Sequence, residues 1–445
     1  MTTPLRHTTP MRGAILIGVL WCLVLLSLLV TVMLKSSKLD LRVTKNHSDS
    51  IEAHYAALAG IERVKALLHQ EAQAARTSGA TWVTRLRDAP EELRDVPLGR
   101  GVFRILRAGR DGEGPGGIVY GITDEESRFN LNTASAEDLK KVPGLTEPVA
   151  AAIADWIDDD HTLTPEGAER ESYLSRSPPY LPRNGPIESL LELLLVEGVR
   201  LDLVLGWSEW VTVHSAVRDV NARGKTRVSL QKATEAELAA VDGISSELAR
   251  AIVAQRGRGR LESVVDLLEV TAPQRPNEPP PQPGVAEGAS RGGAELVEAV
   301  GAATAAPGPR GGVSGQRLVS EQLLQQIADE VTTAEKLELE GAVNVNTADW
   351  RVLACLPGVT ETLARAIVDY RSSSGSFANA AYLLNVPGMT REILKGLAPR
   401  VSTRSETFRI LSEGYFSSTG ARKRIEVIVR LGAYDFETLT WREDV

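Results

Sequence analysis

The sequence predicts an α+β protein in which a long N-terminal helix packs on a small antiparallel sheet and a large, mostly helical insertion interrupts that sheet. Three observations predict it. An uncharged run near the N-terminus continues into a segment with helical spacing. Strand-like patterns lie near residues 101–123 and again near 407–431, on either side of a long helical stretch. That stretch repeats a helix, tight turn, helix pattern three times.

The helix comes first. Ala14 to Leu34, AILIGVLWCLVLLSLLVTVML, is 21 residues without a charge. At about 1.5 Å per residue it crosses a hydrocarbon core of about 30 Å. A cleaved secretory signal would have a shorter apolar stretch, about 7–15 residues, closing on small residues. This run closes on Thr31-Val-Met-Leu-Lys35 instead. Beyond it, Ile51, Tyr55, Leu58, Ile61 and Leu68 recur at helical spacing with alanines between them. One continuous helix, half in lipid and half the spine of a soluble domain, is the economical reading. Arg6 and Arg12 before the span, against Lys35, Lys38, Arg42 and Lys45 after it, leave its orientation open.

The sheet follows from alternation and turns. A polar stretch from Ala74 to Arg94 reads as a short helix and loop. Gly101–Arg107 and Gly117–Thr123 read as two strands joined by the Gly-rich turn of residues 110–116. Thr407–Leu411 and Arg424–Leu431 read likewise; Ile425, Val427, Val429 and Leu431 alternate with Glu426 and Arg430, as a half-buried antiparallel strand requires. Pro, Gly and Ala dominate from Arg275 to Gly315, too little apolar surface for a core, so that segment reads as a flexible linker between two parts of the insertion. Pro186–Val196 reads as a leucine-rich amphipathic helix, for the core or for docking, with the core favoured.

In the repeat, Asn132-Thr-Ala leads through Leu139 to Pro143-Gly144, Gln231-Lys-Ala through Leu238 to Gly243, and Asn346-Thr-Ala through Leu353 to Pro357-Gly358. Ile153, Ile252 and Ile367 follow nine residues after each glycine. These are helix-hairpin-helix units, with Thr133 and Thr347 suited to N-cap or turn roles. Nucleic-acid-binding versions hold phosphate on the amides of the second helix. Here Thr146, Ser245 and Thr360 stand where a second hairpin glycine would free those amides, and residues 129–157 carry a net charge of −2. Residues 228–265 are neutral, and only the third unit, with Arg365 and Arg371, leans basic. A structural use is favoured over DNA contact.

Composition narrows the chemistry. The chain has 445 residues, 43% hydrophobic and 24% charged, with a formal net charge of −8. That is globular composition without an electrostatic grip on DNA or anionic lipid. Cys22 in the apolar run and Cys355 on a predicted helix make neither a disulfide framework nor a cysteine zinc site. The six histidines form no metal motif, and no G-x-S-x-G, P-loop or dinucleotide fingerprint occurs. No sequence feature argues for an enzyme. One acidic segment does offer hard oxygen donors: Trp156-Ile-Asp158-Asp159-Asp160, then Gly167-Ala-Glu169 and Tyr173. Its spacing is not that of an EF-hand, and a solvated helix end is the plainer alternative.

Arg12-Gly13 before a long apolar helix, with Arg42, Asn46 and Ala56-Ala-Leu-Ala-Gly-Ile-Glu62, resembles a type IV pilin or pseudopilin leader. With the helical insertion and the acidic segment, the whole resembles the K-type minor pseudopilins of type II secretion. The resemblance implies a pilin-like fold and cleavage by a prepilin peptidase between Gly13 and Ala14, with an N-methylated new start. Position five of the mature chain is then Gly18, where most pilins carry a glutamate. A carboxylate in lipid needs a partner, and a subunit with nothing ahead of it needs no such carboxylate. The implied plan is a leader at 1–13, the transmembrane part of the helix at 14–34 and its soluble part at 35–72. The first strands then fall in 73–124, the insertion in 125–272 and 317–400 around a 273–316 linker, and closing strands through Trp441 in 401–445. The family's calcium implies Asp158, Asp160 and Glu169 as ligands, with Asp159 a weaker candidate. The implied partners are I-type and J-type minor pseudopilins, the inner-membrane assembly platform, the prepilin peptidase and secreted cargo. The implied setting is a single pass through the inner membrane with the bulk in the periplasm, at the tip of a pseudopilus. The competing reading is a membrane-anchored extracytoplasmic DNA receptor.

Overall fold

The computed structural model describes residues 12–109, 117–272 and 317–445. They form two compact units: residues 12–70, 84–109, 117–123 and 408–445 make one, and residues 71–83, 124–272 and 317–407 the other.

In the first unit, helix α1 runs unbroken over Arg12–Ser78, six residues past the expected end at 72. From Ile15 its apolar first half is exposed, and it is long and apolar enough to cross a membrane. The second half turns one face inward: Ala53, Ala56, Ala57, Ile61, Val64 and Leu68 are buried at three- and four-residue spacing. Small residues let this face approach the sheet closely. A Cβ on Gly60 would fall 2.3 Å from Ser412 Oγ, and one on Gly414 would fall 1.9 Å from the Ala53 carbonyl oxygen.

After α1 come the single turn α2 (Pro90–Leu93) and the strands β1 (Val96–Leu98), β2 (Gly101–Ala108) and β3 (Ile118–Val119). The chain returns much later as β4 (Thr407–Phe416), β5 (Ala421–Leu431) and β6 (Phe436–Glu443). The sheet order is β1-β2-β4-β5-β6, with β3 also on β2. The expected alternation in β5 holds, with Ile425, Val427, Val429 and Leu431 buried. A register shift between Ile428 and Val429 adds Ile428 to the core. The expected strand over Gly117–Thr123 is cut short, because Ile122 donates to the Leu86 carbonyl and the Tyr120 carbonyl accepts from Ala89. Gly121 sits where a Cβ would be 2.1 Å from the Arg87 oxygen, so the strand breaks here, and pairing, now with β4, resumes only at Thr123–Asp124. Glu413, fully buried in β4, is clamped by Arg104 and Arg424.

The second unit consists of three lobes with one plan. Each starts with a two-residue strand, passes through two helices, a 3-10 turn and a third helix, and closes on a strand parallel to the first. In the first lobe Phe129–Asn130 pairs with Val211–Thr212 around α3 (Ala136–Leu139), α4 (Glu147–Ile157) and α6 (Leu201–Trp207), with the short helix α5 (Arg170–Leu174) as an addition. In the middle lobe Val228–Ser229 pairs with Val331–Thr332 around α7 (Glu235–Ala239), α8 (Ser246–Arg256) and α9 (Glu321–Ile327). In the third, Val343–Asn344 pairs with Val401–Ser402 around α10 (Trp350–Ala354), α11 (Glu361–Ser374) and α12 (Arg391–Leu397).

The Asn-Thr-Ala motif is the clasp of the first and third lobes. Asn346 Nδ2 donates to the carbonyls of Phe377 (3.0 Å) and Thr403 (2.9 Å), and its Oδ1 accepts from the Phe377 amide at 2.8 Å. Asn132 does the same with Ile187 and Val213. Gln231 takes this place in the middle lobe and reaches the Leu261 carbonyl. The longer side chain explains how that lobe keeps the fold without the asparagine.

This plan corrects the division of the insertion. The 273–316 linker itself lies outside the described residues, but its flanks meet: Thr271 and Arg317 form a bridge, and Leu318 donates to the Val270 carbonyl. Residues 317–332 therefore complete the middle lobe and do not begin a second part. The expected helix over Pro186–Val196 is a 3-10 turn, Leu190–Leu195. Leu193 and Val196 are buried while Leu191, Leu194 and Leu195 are exposed, so only part of that leucine run is core.

Candidate metal centre

Helix α4 and the loop after it build the site. Between the end of the second helix and the clasped residue that follows, the middle lobe has Arg256 to Leu261 and the third Ser374 to Phe377. The first lobe has Ile157 to Ile187. The extra chain carries the acidic segment, held at both ends by aromatic packing. Trp156 and Tyr173, fully buried, meet edge to face with centroids 5.1 Å apart, and Trp156 Nε1 donates to Glu192 Oε1 at 3.1 Å.

Among the described residues, Asp158, Asp160 and Glu169 converge, each offering a carboxylate oxygen within 4.8 Å of the others. Asp158 is the C-cap of α4 and Glu169 the N-cap of α5, so two helix ends fix two of the three. Asp160 is exposed, with Oδ1 accepting from the Thr162 amide at 2.6 Å. Asp159 is exposed and stays outside the cluster.

The electrostatics are unrelieved. Burial first, and then the charges of Asp160, Asp155 and Glu169, push the Asp158 carboxyl up to about 6. Asp158 Oδ1 and Glu169 Oε1 are buried with no hydrogen-bond partner. Two orphaned carboxylate oxygens facing a third carboxylate fit a hard cation, which takes oxygen ligands and neutralises them. A bound calcium would supply charge neutralisation and a cross-link between α4, the loop and α5. Asp155 carries no mark in the sequence and lies behind the cluster, fully buried, accepting from the Thr164 amide. Burial raises its pKa too. Gly167 packs against it, where a Cβ would fall 2.1 Å from Asp155 Oδ2.

The hairpins form as expected. Gly144, Gly243 and Gly358 turn with φ of +82°, +93° and +72°, a conformation that favours glycine. Pro143 and Pro357 precede two of them, and Leu139, Leu238 and Leu353 are fully buried. Ser135, Thr234 and Asp349 are the N-caps of the first helices, which leaves Thr133 and Thr347 in the turns. Phosphate would find little here. The Ser245 and Thr360 hydroxyls already accept from the Leu248 and Leu363 amides. Arg371 points inward, donating to the Val345 and Ala348 carbonyls, as Arg256 does to Leu230 and Ala233. Arg365 lies over the Trp350 ring at 3.7 Å and pairs with Glu361. Burial pushes the Cys355 thiol up to about 12, which is a core residue and not a nucleophile.

Residues 127–216, the first lobe with its acidic loop, match the family described as "Type II secretion system (T2SS), protein K". A curated relative, the type II secretion system protein K of Klebsiella pneumoniae, is 29% identical over 209 residues, covering 42% of this chain and 58% of that protein. The first lobe carries the likeness to protein K of type II secretion. Its middle and third lobes match the helix-hairpin-helix motif family over residues 223–272 and 340–402. The endonuclease/exonuclease/phosphatase family domain-containing protein 1 of Bos taurus is 29% identical over 178 residues, 39% of this chain and 28% of that one. Among solved structures, a chain of the GspK-GspI-GspJ complex of enterotoxigenic Escherichia coli is similar at a TM-score of 0.38 and 14% identity, over 90% of this chain and 99% of that one. The protein K match thus spans a little over half of the Klebsiella protein's length.

Proposed function

We propose that this protein K homologue is a minor pseudopilin of a type II secretion system, a structural tip subunit and not an enzyme. The observation that carries the reading is the protein K match over residues 127–216 in a chain whose α1 carries an exposed apolar run and then packs on an antiparallel sheet. The apolar run crosses the inner membrane once, leaving the rest of the first unit and the whole of the second in the periplasm. Prepilin peptidase cuts between Gly13 and Ala14. The mature chain then associates with I-type and J-type minor pseudopilins on the assembly platform, helix against helix along α1. The solved chain belongs to a complex of GspK, GspI and GspJ, and an association of that kind is proposed here. Gly18 at mature position five supports the tip, since no subunit ahead has to meet a carboxylate. The helical unit is the bulk that stops addition above it.

Calcium held by Asp158, Asp160 and Glu169 stabilises the first lobe in this reading. The DNA-receptor alternative is disfavoured by the inward Arg371 and the capped hairpin amides. The test is co-expression of the full chain with I-type and J-type subunits, followed by detergent extraction and labelling of assembled pseudopili. A co-purifying ternary complex and label at one end are expected; label along the shaft, or no association with either subunit, overturns the proposal.

A further inference from the structure

A cavity of about 600 Å³ opens in the helical unit, between the middle and third lobes and an antiparallel ribbon of Ala216–Arg218 with Glu338–Glu340. Val217, Val331, Leu339 and Val401 supply its apolar wall, and Arg404 lines it from the end of the third lobe. The Arg404 side chain is only 14% exposed, and its Nε is buried with no hydrogen-bond partner. The carboxylate within ion-pair range is Asp329, whose Oδ1 is 3.9 Å away.

That carboxylate is already taken, by Arg227 at 2.7 Å. Asp219 is likewise held by Arg227 at 3.2 Å, and Glu406 by Arg218 at 2.7 Å. Three acids surround three guanidiniums, yet the hydrogen bonds go to two of them. Burial, followed by the Arg227 charge, pushes the Arg404 pKa down to about 10, as expected of a cation short of acceptors. A guanidinium is a planar fork of donors matched to a carboxylate, and here it borders an open space.

We propose that this cavity receives the carboxylate of a short peptide segment, with Arg404 as the group that takes it. The volume falls in the range of small-ligand sites and has room for a few residues over the apolar wall. The rim decides the ligand class. Glu262, Glu335, Glu338 and Glu340 line the same cavity beside Arg260 and Lys336, which pair with Glu335 and Glu340. The rim is therefore close to charge-balanced and offers a polyanion no cationic surface beyond Arg404 and its neighbours; a singly charged carboxylate is the better match. The site goes beyond the pseudopilin reading and does not depend on it.

Isothermal titration of the full chain in detergent, with acetyl-Ala-Leu-Ala bearing a free C-terminus and with its C-terminal amide, tests this. The acid is expected to bind about 10- to 100-fold more tightly than the amide. Arg404→Met keeps the aliphatic stem, removes a buried cation, and is expected to erase that difference without lowering Tm. Ala334→Phe fills a half-buried wall position away from Arg404 and is expected to weaken both peptides. Equal binding of acid and amide, binding of neither, or a preference that survives Arg404→Met overturns the proposal. So does inorganic sulfate binding as tightly as the acid peptide. Should Arg404→Met fail to fold, undiminished acid binding to Ala334→Phe overturns it as well.

Discussion

Replacing the clasp of one lobe at a time tests the idea that three lobes share one plan. Asn346 is 8% exposed and satisfies three backbone groups, the Phe377 amide and the Phe377 and Thr403 carbonyls, over 2.8–3.0 Å. Asn346→Ala removes all three bonds at about 1 kcal/mol each, and strands buried groups that no longer reach water, for a total of about 3–5 kcal/mol. Asn132→Ala loses three bonds at a half-buried site, so about 2–4 kcal/mol is expected. Gln231→Ala loses a single bond to the Leu261 carbonyl, worth about 1 kcal/mol. Since lobes can open separately, the assay is amide hydrogen exchange on the full chain in detergent. The Phe377 amide should exchange at least about a hundredfold faster in Asn346→Ala, while amides of the first lobe keep their rates. A change below tenfold at Phe377, or equal effects of Asn346→Ala and Gln231→Ala, would refute the clasp.

Three further outcomes are expected. Calcium at a free concentration about a hundred times its Kd should stabilise the chain by about 2.7 kcal/mol, and Asp158→Asn, Glu169→Gln and Gly167→Ala should each remove that gain in thermal scans. The glycine variant belongs in this set because its Cβ would press on Asp155 Oδ2. Glu413→Gln should cost about 2–4 kcal/mol, because Arg104 and Arg424 lose their shared carboxylate. Burial acts to raise the Glu413 pKa, but the Arg424 and Arg104 hydrogen bonds outweigh it and hold the carboxyl below its usual range. Its stabilisation is therefore complete above the unfolded-state value near 4.3 and is lost as pH falls through the lower folded value; a Tm-versus-pH curve of Glu413→Gln should lack that acid limb. Finally, duplex DNA should not retain the full chain at 0.15 M salt, and Arg365→Glu should leave that unchanged; salt-dependent retention would revive the receptor reading.

Much of the architecture was legible because it rests on local signals. The uncharged run over Ala14–Leu34 and the alanine-rich face beyond it marked α1, and period-two alternation marked β5. Glycine after Leu-x-x-Val-type helix ends marked three hairpins. What the residues hid was long-range. The second hairpin of each lobe turns at Gly198 and Gly388 with φ of +76° and +88°, but in the middle lobe the chain leaves at Thr271 and returns at Arg317 at the matching place. Its repeat was thereby split, and α9 was assigned away from its own lobe. Strand β6 is mostly exposed along the sheet edge, so no apolar alternation announced it. At the candidate metal centre Asp158, Asp160 and Glu169 are marked by residue type and resemblance. Asp155 was passed over because a lone carboxylate on an apolar helix gives no pattern; only the fold places its buried side chain behind the others.

The pseudopilin reading turns on processing at the start of α1. The direct measurement is the intact mass and N-terminal sequence of the full chain, expressed with and without a prepilin peptidase. The account predicts a peptidase-dependent start at Ala14, carrying one added methyl group on the new amino terminus. A chain that keeps Met1 in the presence of the peptidase, or one cut beyond Leu34, would contradict it.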